Sequence, residues 1–414
     1  MPARRPVLSL QEVIKARETM MAVVHRTPLV HSRTLSEMTG ADVWLKLENL
    51  QRTGSFKIRG ALNKIASLSE EERKRGVVAA SAGNHAQGVA LAAGHLGVRA
   101  TVVMPREASI AKVEATRRYG AEVVLHGANY NDAQDRAREL EKERGLVFVH
   151  AFEDEKVIAG QGTLGLEIIE ELPELETLVC PIGGGGLISG VAAAVKAKKP
   201  GARIVGVQPE GSATVPQSLK EGRVVRRESI ATIADGLATK QIGEITFGHV
   251  RSLVDEAVTV DEAQIASAIL LLLERCKTLV EGAGAVSVAA LVSGKVKLRP
   301  GENVVALLSG GNIDITLLDR ILNRGLQQDG RVFRFWVTVP DKPGQLSRVL
   351  DIVAESGASV RQVVHERFRP GLGIQETEIG IEVETKGDKH IAEMSGLLQA
   401  SGFRIRTGPD HSRE

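Results

Sequence analysis

Four short segments contain residue types that, held together, could bind a phosphorylated aldehyde and an amino acid. They are residues 53–60 (Thr-Gly-Ser-Phe-Lys-Ile-Arg-Gly), 81–85 (Ser-Ala-Gly-Asn-His), 183–186 (four glycines) and 309–312 (Ser-Gly-Gly-Asn). Lys57, in the first segment, supplies an amine that could form a Schiff base with an aldehyde. On its own, a lysine in such a turn would more often be a solvated side chain at a helix start. The chemistry therefore depends on what the other segments add.

The other three segments supply groups for a phosphate, a carboxylate and a heteroaromatic ring. Consecutive glycines ahead of a helix leave backbone amides open to an anion. No Lys-Ser/Thr pair follows them, as a Walker loop requires, and their spacing departs from the dinucleotide fingerprint, so a phosphate monoester fits better. Residues 81–85 could hold a carboxylate, the Asn84 amide could face a phenolic oxygen, and the Ser309 hydroxyl could face a ring nitrogen. Together these groups predict pyridoxal phosphate held by Lys57.

The elements that must position these segments follow an alternating pattern. From about residue 43, short β-branched runs alternate with longer helical patterns, up to a strand at 303–308. Such alternation predicts an α/β protein with parallel sheets, and the continuous apolar strands indicate sheets covered on both faces. After Gly330 the pattern changes to alternating apolar and polar positions, and the order βαββαβ follows to about residue 406.

These patterns predict three parts along the chain. The first is a catalytic region over residues 1–325, in which a smaller subdomain at about 50–150 is inserted in the larger one. A linker at 326–331 and a regulatory domain at 332–408 follow.

Composition narrows the class of protein. The chain has 414 residues, of which 43% are hydrophobic and 25% charged, as in ordinary globular proteins. A net charge of +2 without a long basic run, and 3% aromatic residues, argue against nucleic-acid binding. Cys180 and Cys276 form no Cys-x-x-Cys pattern and suit a reducing compartment. The first residues lack the apolar stretch of a signal peptide, and the most apolar segment, 269–273, is too short to cross a bilayer. We therefore expect a cytoplasmic protein.

In this order, the four segments resemble the fold-type II pyridoxal-phosphate family over about residues 10 to 325. Within that family the match is best to the threonine dehydratases, with serine racemases and serine dehydratases as near relatives. The resemblance implies two open parallel α/β domains of the tryptophan-synthase-β-like kind. It also implies that Lys57 bonds the cofactor and later moves the substrate α-proton. The cofactor-binding residues that it implies are Phe56, Lys57, Asn84, Gly183, Gly184, Gly185, Gly186, Leu187, Gly236, Glu281 and Ser309. The substrate-binding residues that it implies are Ser81, Gly83, Asn84 and His85.

The implied activity is elimination of water from L-threonine, and also from L-serine, with release of ammonia and 2-oxobutanoate or pyruvate, as in isoleucine biosynthesis. A serine or 3-hydroxyaspartate dehydratase on the same scaffold and a catalytically silent amino-acid sensor are alternatives, and a catabolic role stays open. Racemases of the family carry a second base, a serine, where this chain has Ala82, so racemisation should be minor. Many relatives place metal-binding carboxylates where this chain has Gln208 and Thr214, so we expect no metal ion there.

The last part of the chain resembles an ACT domain, including Asp-Lys-Pro-Gly-Gln-Leu at 341–346. Such domains commonly pair and bind amino acids at their strand–helix turn. The resemblance therefore implies a homo-oligomer, either a dimer or a tetramer. It also implies an isoleucine or valine effector at Gly344, Gln345 and Leu346, which would act through its different affinity for two states of the enzyme. A module that serves only oligomerisation is the alternative.

Overall fold

The computed structural model describes residues 7–20, 22–368 and 371–407, so the two extreme ends of the predicted domains, 1–6 and 408, lie outside the described residues. The chain divides into two units, Met1–Asp314 and Ile315–Glu414. The strands of the first unit are β1 (Leu29–His31), β2 (Asp42–Leu47), β3 (Val77–Ala80), β4 (Ala100–Met104), β5 (Glu122–Leu125), β6 (Val147–Phe148), β7 (Thr177–Pro181), β8 (Arg203–Pro209), β9 (Glu256–Val260) and β10 (Asn303–Leu308). Those of the second unit are β11 (Val332–Pro340), β12 (Ser359–Glu366), β13 (Glu376–Glu384) and β14 (Arg404–Thr407).

The helices occupy the stretches between these strands. In the first unit they are α1 (Leu10–Met20), α2 (Arg33–Thr39), α3 (Lys57–Ala66), α4 (Glu70–Arg75), α5 (Asn84–His95), α6 (Ile110–Arg118), α7 (Tyr130–Arg144), α8 (Glu155–Glu171), α9 (Gly186–Lys198), α10 (Val215–Glu221), α11 (Glu244–Leu253), α12 (Glu262–Arg275) and α13 (Gly282–Val292). In the second unit they are α14 (Ile315–Gln328), α15 (Gln345–Glu355) and α16 (Asp388–Ala400). No helix within the described ranges is long and apolar enough to cross a membrane.

The first unit contains two sheets. The larger has the strand order β1-β2-β10-β7-β8-β9, and the smaller has the order β5-β4-β3-β6. All pairings are parallel except that of β1 with β2 at the edge of the larger sheet. Every residue of β3, β4 and β7 is buried, as expected for strands covered on both faces. The predicted pair of parallel α/β sheets is confirmed, and the antiparallel edge strand β1 is an addition to it.

The second unit is built on one antiparallel sheet with the strand order β12-β13-β11-β14. With α15 and α16 it gives the predicted order βαββαβ along the chain, which is confirmed. Alternate residues of β11 and β13 face a core that includes Phe335, Val337, Ile379 and Ile381. The half-exposed strand pattern in the sequence reflects this single covered face.

The boundary between the units differs from the expected one. The predicted linker, 326–331, begins inside α14, and the structure assigns that whole helix to the second unit. The Arg331 N–H donates to the Leu326 carbonyl at 2.8 Å, so the chain turns tightly from the helix into β11. Ile321 and Gly325 are buried on one face of α14. Because this face is buried, the helix extends to Gln328, into the residues that were predicted to form a linker.

Helix α3, which begins at Lys57, lies very close to α5 and α8. A Cβ atom on Gly60 would lie 2.4 Å from Gln161 Nε2, and one on Gly160 would lie 2.5 Å from the Arg59 carbonyl oxygen. A Cβ on Gly88 would lie 3.0 Å from the Lys57 carbonyl carbon. Glycine is therefore required at these contacts, because any side chain would separate the helices. The close packing fixes where α3 starts.

A buried cluster of charges fixes the same helix from its other side. Arg59 is 1% exposed and donates from Nε and Nη2 to the two Glu48 carboxylate oxygens, at 2.8 Å each. Its Nη1 and Nη2 donate to Glu167 at 2.6 and 3.0 Å. The Lys46 ammonium lies 3.0 Å from Glu167 Oε2. Arg59 and Lys46 are thus compensated by carboxylates in a largely buried cluster, which joins β2, α3 and α8.

One residue outside the site allows a test of local backbone strain. Lys277, just past the end of α12, has φ 54° and is the only non-glycine residue of the described ranges with positive φ. A Cβ atom disfavours that conformation. We expect Lys277→Gly to stabilise the protein by about 0.5–1 kcal/mol, measured as a higher apparent midpoint of thermal unfolding.

The matched control for that change is Lys295→Gly. Lys295 is also an exposed lysine of the first unit, but its φ is not positive, so glycine there only adds freedom to the unfolded chain. A rise in the midpoint with both substitutions, or with neither, would contradict the strain at Lys277.

Candidate active site

The segments predicted to carry chemistry lie at the carboxyl ends of parallel strands. Residues 81–85 follow β3, 183–187 follow β7, and 309–312 follow β10, while 53–60 lie between β2 and α3. In open α/β sheets the loops at this edge form the ligand site.

The turn that precedes Lys57 is bound to the turn that follows β10. Ser55 and Gly310 form an isolated antiparallel bridge, and the Phe56 N–H donates to the Ser309 carbonyl at 3.2 Å. The Ser309 hydroxyl is buried and donates to the Ala283 carbonyl at 3.3 Å. The predicted lysine and the predicted ring-facing hydroxyl are therefore held next to each other by backbone contacts.

The Lys57 side chain has one fixed partner. Its ammonium donates to the Ala151 carbonyl at 3.0 Å and lies 5.1 Å from the centre of the Phe56 ring. Burial lowers the pKa of Lys57 from 10.5 to about 8, and the nearby Glu281 carboxylate opposes this shift. More of the amine is thus uncharged near neutral pH than in an exposed lysine, and the uncharged form is the one that can attack a carbonyl.

The glycine loop, residues 183–186, packs against neighbours that leave no room for side chains. A Cβ on Gly184 would lie 2.3 Å from the Phe152 ring, and Gly185 has φ 92° as the capping residue of α9. Leu187, the second residue of that helix, is buried. Within the part of the chain that the structure describes, no hydrogen bond takes up the amides of residues 183–187. Free amides at a helix N-terminus form a site for an anion such as a phosphate.

Asn84 links three segments of the site. Its Nδ2 donates to Glu281 Oε1 at 2.6 Å, and its Oδ1 accepts from Asn312 Nδ2 at 2.7 Å. Burial raises the pKa of Glu281 to about 7, although the bond from Asn84 opposes the shift. A Cβ on Gly310 would lie 2.2 Å from Glu281 Oε1, and one on Gly236 would lie 3.7 Å from it. Gly236 and Glu281, both candidates from the sequence, therefore lie within this network.

The loop after β3 has a fixed backbone and an open side. The Ser81 N–H donates to the Val103 carbonyl at 3.1 Å, and the Ser81 hydroxyl accepts from the Gly83 N–H at 3.2 Å. No atom lies within 4 Å of the position that a Gly83 Cβ would take. Ala82 packs beside the core of the smaller sheet. The loop can therefore accept a small ligand at Gly83 without moving.

The His85 ring is placed differently from the rest of that loop. It is buried, and its Nε2 donates to the Val149 carbonyl at 2.8 Å. Burial, with a contribution from Lys57, lowers the pKa of His85 to about 3. The ring is thus a neutral packed side chain, which leaves the backbone of His85 for the predicted carboxylate site.

The segment between β6 and α8 also contributes to the site, although its sequence did not predict this. It brings the Ala151 carbonyl to Lys57 and the Phe152 ring to the glycine loop. Asn312 was part of a predicted segment, but its bonds to Asn84 and to the Thr53 carbonyl were not foreseen. The available signal for residues 150–153 was their position directly after a strand, like the other loops of the site.

Gln208 and Thr214, which stand where many relatives have metal-binding carboxylates, serve the backbone. Gln208 is 1% exposed, and its Oε1 accepts the N–H groups of Thr214 and Val215 at 3.0 and 2.7 Å. These amides lie at the start of α10. The glutamine side chain therefore acts as the cap of a helix.

Several proteins with named functions are similar to this chain in sequence and in fold. The chain is 51% identical over 400 residues to a protein of Thermotoga maritima named L-threonine ammonia-lyase, with 97% of this chain and 99% of the relative covered. It superimposes on the processed form of threonine deaminase isoform 2 from Solanum lycopersicum with a TM-score of 0.73 and 38% identity, over 78% of this chain and 91% of that one. For maize serine racemase the TM-score is 0.74 and the identity 37%, over 78% and 99% of the two chains.

A family model described as pyridoxal-phosphate dependent enzyme matches residues 21–310. That range contains Lys57, the glycine loop, Asn84 and Ser309, the groups that converge at the carboxyl ends of the strands. The resemblance predicted from the four segments is confirmed. The chain belongs to the family of pyridoxal-phosphate-dependent enzymes.

Proposed function

We propose that this chain is a threonine ammonia-lyase, which eliminates water from L-threonine and, more slowly, from L-serine. The observation that carries the proposal is a half-buried lysine of lowered pKa, joined through the neighbouring residues Ala151 and Phe152 to an anion site built of free amides. The relative from Thermotoga maritima, which bears that name and matches nearly the whole chain, supports threonine as the main substrate.

The residues present fit pyridoxal phosphate. The phosphate would be held by the amides of residues 183–187, whose glycines lie so close to Phe152 and Thr246 that added Cβ atoms would collide with them. Lys57 would form the covalent bond, with Phe56 and Asn84 beside the ring and Ser309 at the ring nitrogen. When bound, the cofactor supplies an electron sink for the charge that is left when a substrate loses its α-proton.

Lys57 has two tasks in this proposal. As an amine of pKa about 8 it can bond the cofactor and be displaced by the substrate amine. Once free, it would accept the α-proton and return a proton to the β-hydroxyl oxygen, so that the bond from Cβ to that oxygen breaks and water leaves. The unsaturated amine then hydrolyses to ammonia and a 2-oxo acid. The Ala151 carbonyl keeps Nζ in place for both tasks.

Two other residues would favour elimination over competing reactions of the same substrate. Ala82 has no group that could donate a proton from the face opposite Lys57, so elimination is favoured over racemisation. Ser309 would meet the ring nitrogen with a neutral hydroxyl instead of a carboxylate, and would therefore leave that nitrogen unprotonated, which favours quick elimination. The Ser81–Gly83 loop, with its open side at Gly83, would hold the substrate carboxylate.

The second unit is proposed to be an ACT-type regulatory domain. A cavity of about 290 Å³ lies at the turn from β11 to α15 and is lined by Gly344, Gln345 and Leu346, with His365, Arg367 and Thr377 on the facing strands. Gly344 has φ 90°, a conformation that favours glycine. Isoleucine or valine is the proposed ligand, and a role in isoleucine biosynthesis rests on that proposal. The cytoplasmic location and the assembly into a dimer or tetramer stay predictions.

The substrate and the effector are tested in one assay. We expect 2-oxobutanoate release from L-threonine to be faster than pyruvate release from L-serine, and isoleucine to change the rate with threonine. L-alanine, which has no leaving group on Cβ, is the control for non-specific ammonia release. Faster turnover of serine would refute the substrate, and indifference to isoleucine and valine would refute the effector.

Lys57 itself is tested by substitution and by pH. We expect Lys57→Ala to abolish turnover, and its apo-protein to show no covalent cofactor band. In the unchanged apo-protein the rate of cofactor attachment should rise with pH through about 8, because only the uncharged amine attacks the aldehyde. Normal dehydration of threonine by Lys57→Ala would contradict the mechanism at its first step.

The glycine loop is tested by adding one methyl group. Gly184→Ala would place a Cβ 2.3 Å from the Phe152 ring, so the loop must shift. Overpacking typically costs about 1–3 kcal/mol, and we expect the Kd of pyridoxal phosphate for the apo-protein to rise at least about tenfold. Gly201→Ala is the matched control, since nothing lies within 4 Å of its Cβ position. Equal affinities for the two variants would exclude the loop as the phosphate site.

A further inference from the structure

The turn between β6 and α8 contacts both halves of the proposed cofactor site through consecutive residues. The Ala151 carbonyl accepts from the Lys57 ammonium at 3.0 Å. The next residue, Phe152, packs its ring on Gly184 and its backbone and Cβ on Gly186. A displacement of this turn would therefore change the position of the lysine and of the glycine loop together.

His150 holds the turn by a side-chain cap. Its Nδ1 accepts the N–H groups of Phe152 and Glu153 at 3.2 and 2.9 Å. The same spacing, to the second and third following amides, is made by Asn129 Oδ1 at 2.8 and 3.3 Å and by Asp154 Oδ1 at 2.8 and 3.2 Å. The imidazole nitrogen thus performs the task of an Asn or Asp oxygen at a helix start.

The surroundings of His150 keep Nδ1 free to accept. The ring lies edge-on to Phe152, with centres 4.6 Å apart. Its charged neighbours are Arg138 on α7, Lys57 on α3 and Asp154 at the start of α8. Burial, then Arg138 and Lys57, lower the pKa of His150 to about 4, while Asp154 opposes them. The ring therefore stays neutral, with its proton on Nε2.

We propose that His150 is a positioning residue for the cofactor site, because its cap fixes the turn that carries the partner of Lys57 and the ring beneath the glycine loop. The proposal rests on the proposed function, since it requires that the cofactor bind at these two places. His150 acts through Ala151 and Phe152 and has no part in the chemical steps.

Two substitutions of His150 by neutral amide side chains distinguish the role of Nδ1 from that of Nε2. In His150→Asn, the side-chain oxygen occupies the place of Nδ1 and can accept the same two N–H groups. In His150→Gln, the longer side chain reaches the place of Nε2 and cannot form the cap. We expect the Kd of pyridoxal phosphate for the apo-protein to rise about tenfold in His150→Gln. In His150→Asn it should stay within about threefold of the unchanged protein.

Asn129→Gln is the matched control, since it removes a cap of the same geometry at the start of α7, away from the site. It should lower the apparent thermal midpoint without changing the Kd. Equal affinities for His150→Asn and His150→Gln, whether both normal or both weak, would overturn the proposal. Weak binding by His150→Asn alone would do the same, since it would assign the role to Nε2. If the unchanged apo-protein does not bind pyridoxal phosphate at all, the proposed function fails instead.

Discussion

The ion cluster around Arg59 is the constraint on which the site depends. Arg59 follows Lys57 on the first turn of α3, and its four bonds to Glu48 and Glu167 fix the direction in which that helix leaves the sheet. Removing one member of such a buried cluster leaves an uncompensated charge and costs about 3–5 kcal/mol. The hydrogen bonds of a charged cluster also require particular distances and directions, whereas an apolar contact is not directional. The cluster defines one position for α3, and with it one position for Lys57, with which that helix begins.

Burial favours the neutral form of the titratable groups in the site. It lowers the pKa values of Lys57, His85 and His150 and raises that of Glu281, so each group is moved toward its neutral form. The two histidines are thereby removed from acid–base chemistry at ordinary pH. Lys57 and Glu281, with pKa values of about 8 and 7, are the two of these groups that titrate near neutral pH. Of these two, only Lys57 is an amine, which can form a bond to an aldehyde.

The sequence predicted the parallel sheets, the βαββαβ unit and segments that meet at the carboxyl ends of the strands, for physical reasons that apply locally. Strand ends, glycine runs and a lone lysine are visible in a sequence because each requires particular residue types at fixed spacing. Contacts made through ordinary residues were not visible. The Ala151 carbonyl could come from any amino acid, and the bond from Asn312 to Asn84 joins residues far apart in the chain. The start of the second unit was misplaced because α14 has a polar surface around a narrow buried face.

Strand order in the larger sheet determines when this site can form during folding. β10 is the last strand of its unit in the chain, yet it lies between β2 and β7 in the middle of the sheet. β2 can be joined to β7 only after residues 303–308 have been synthesised, because β10 lies between them. Pairings between segments that are far apart in the chain form slowly. During synthesis, the ribosome must release almost all of the first unit before Ser309 can meet Phe56. The smaller sheet, whose four strands are consecutive, can form while the larger one is incomplete. A nascent chain can thus form the smaller sheet before the larger sheet, and the cofactor site with it, is complete.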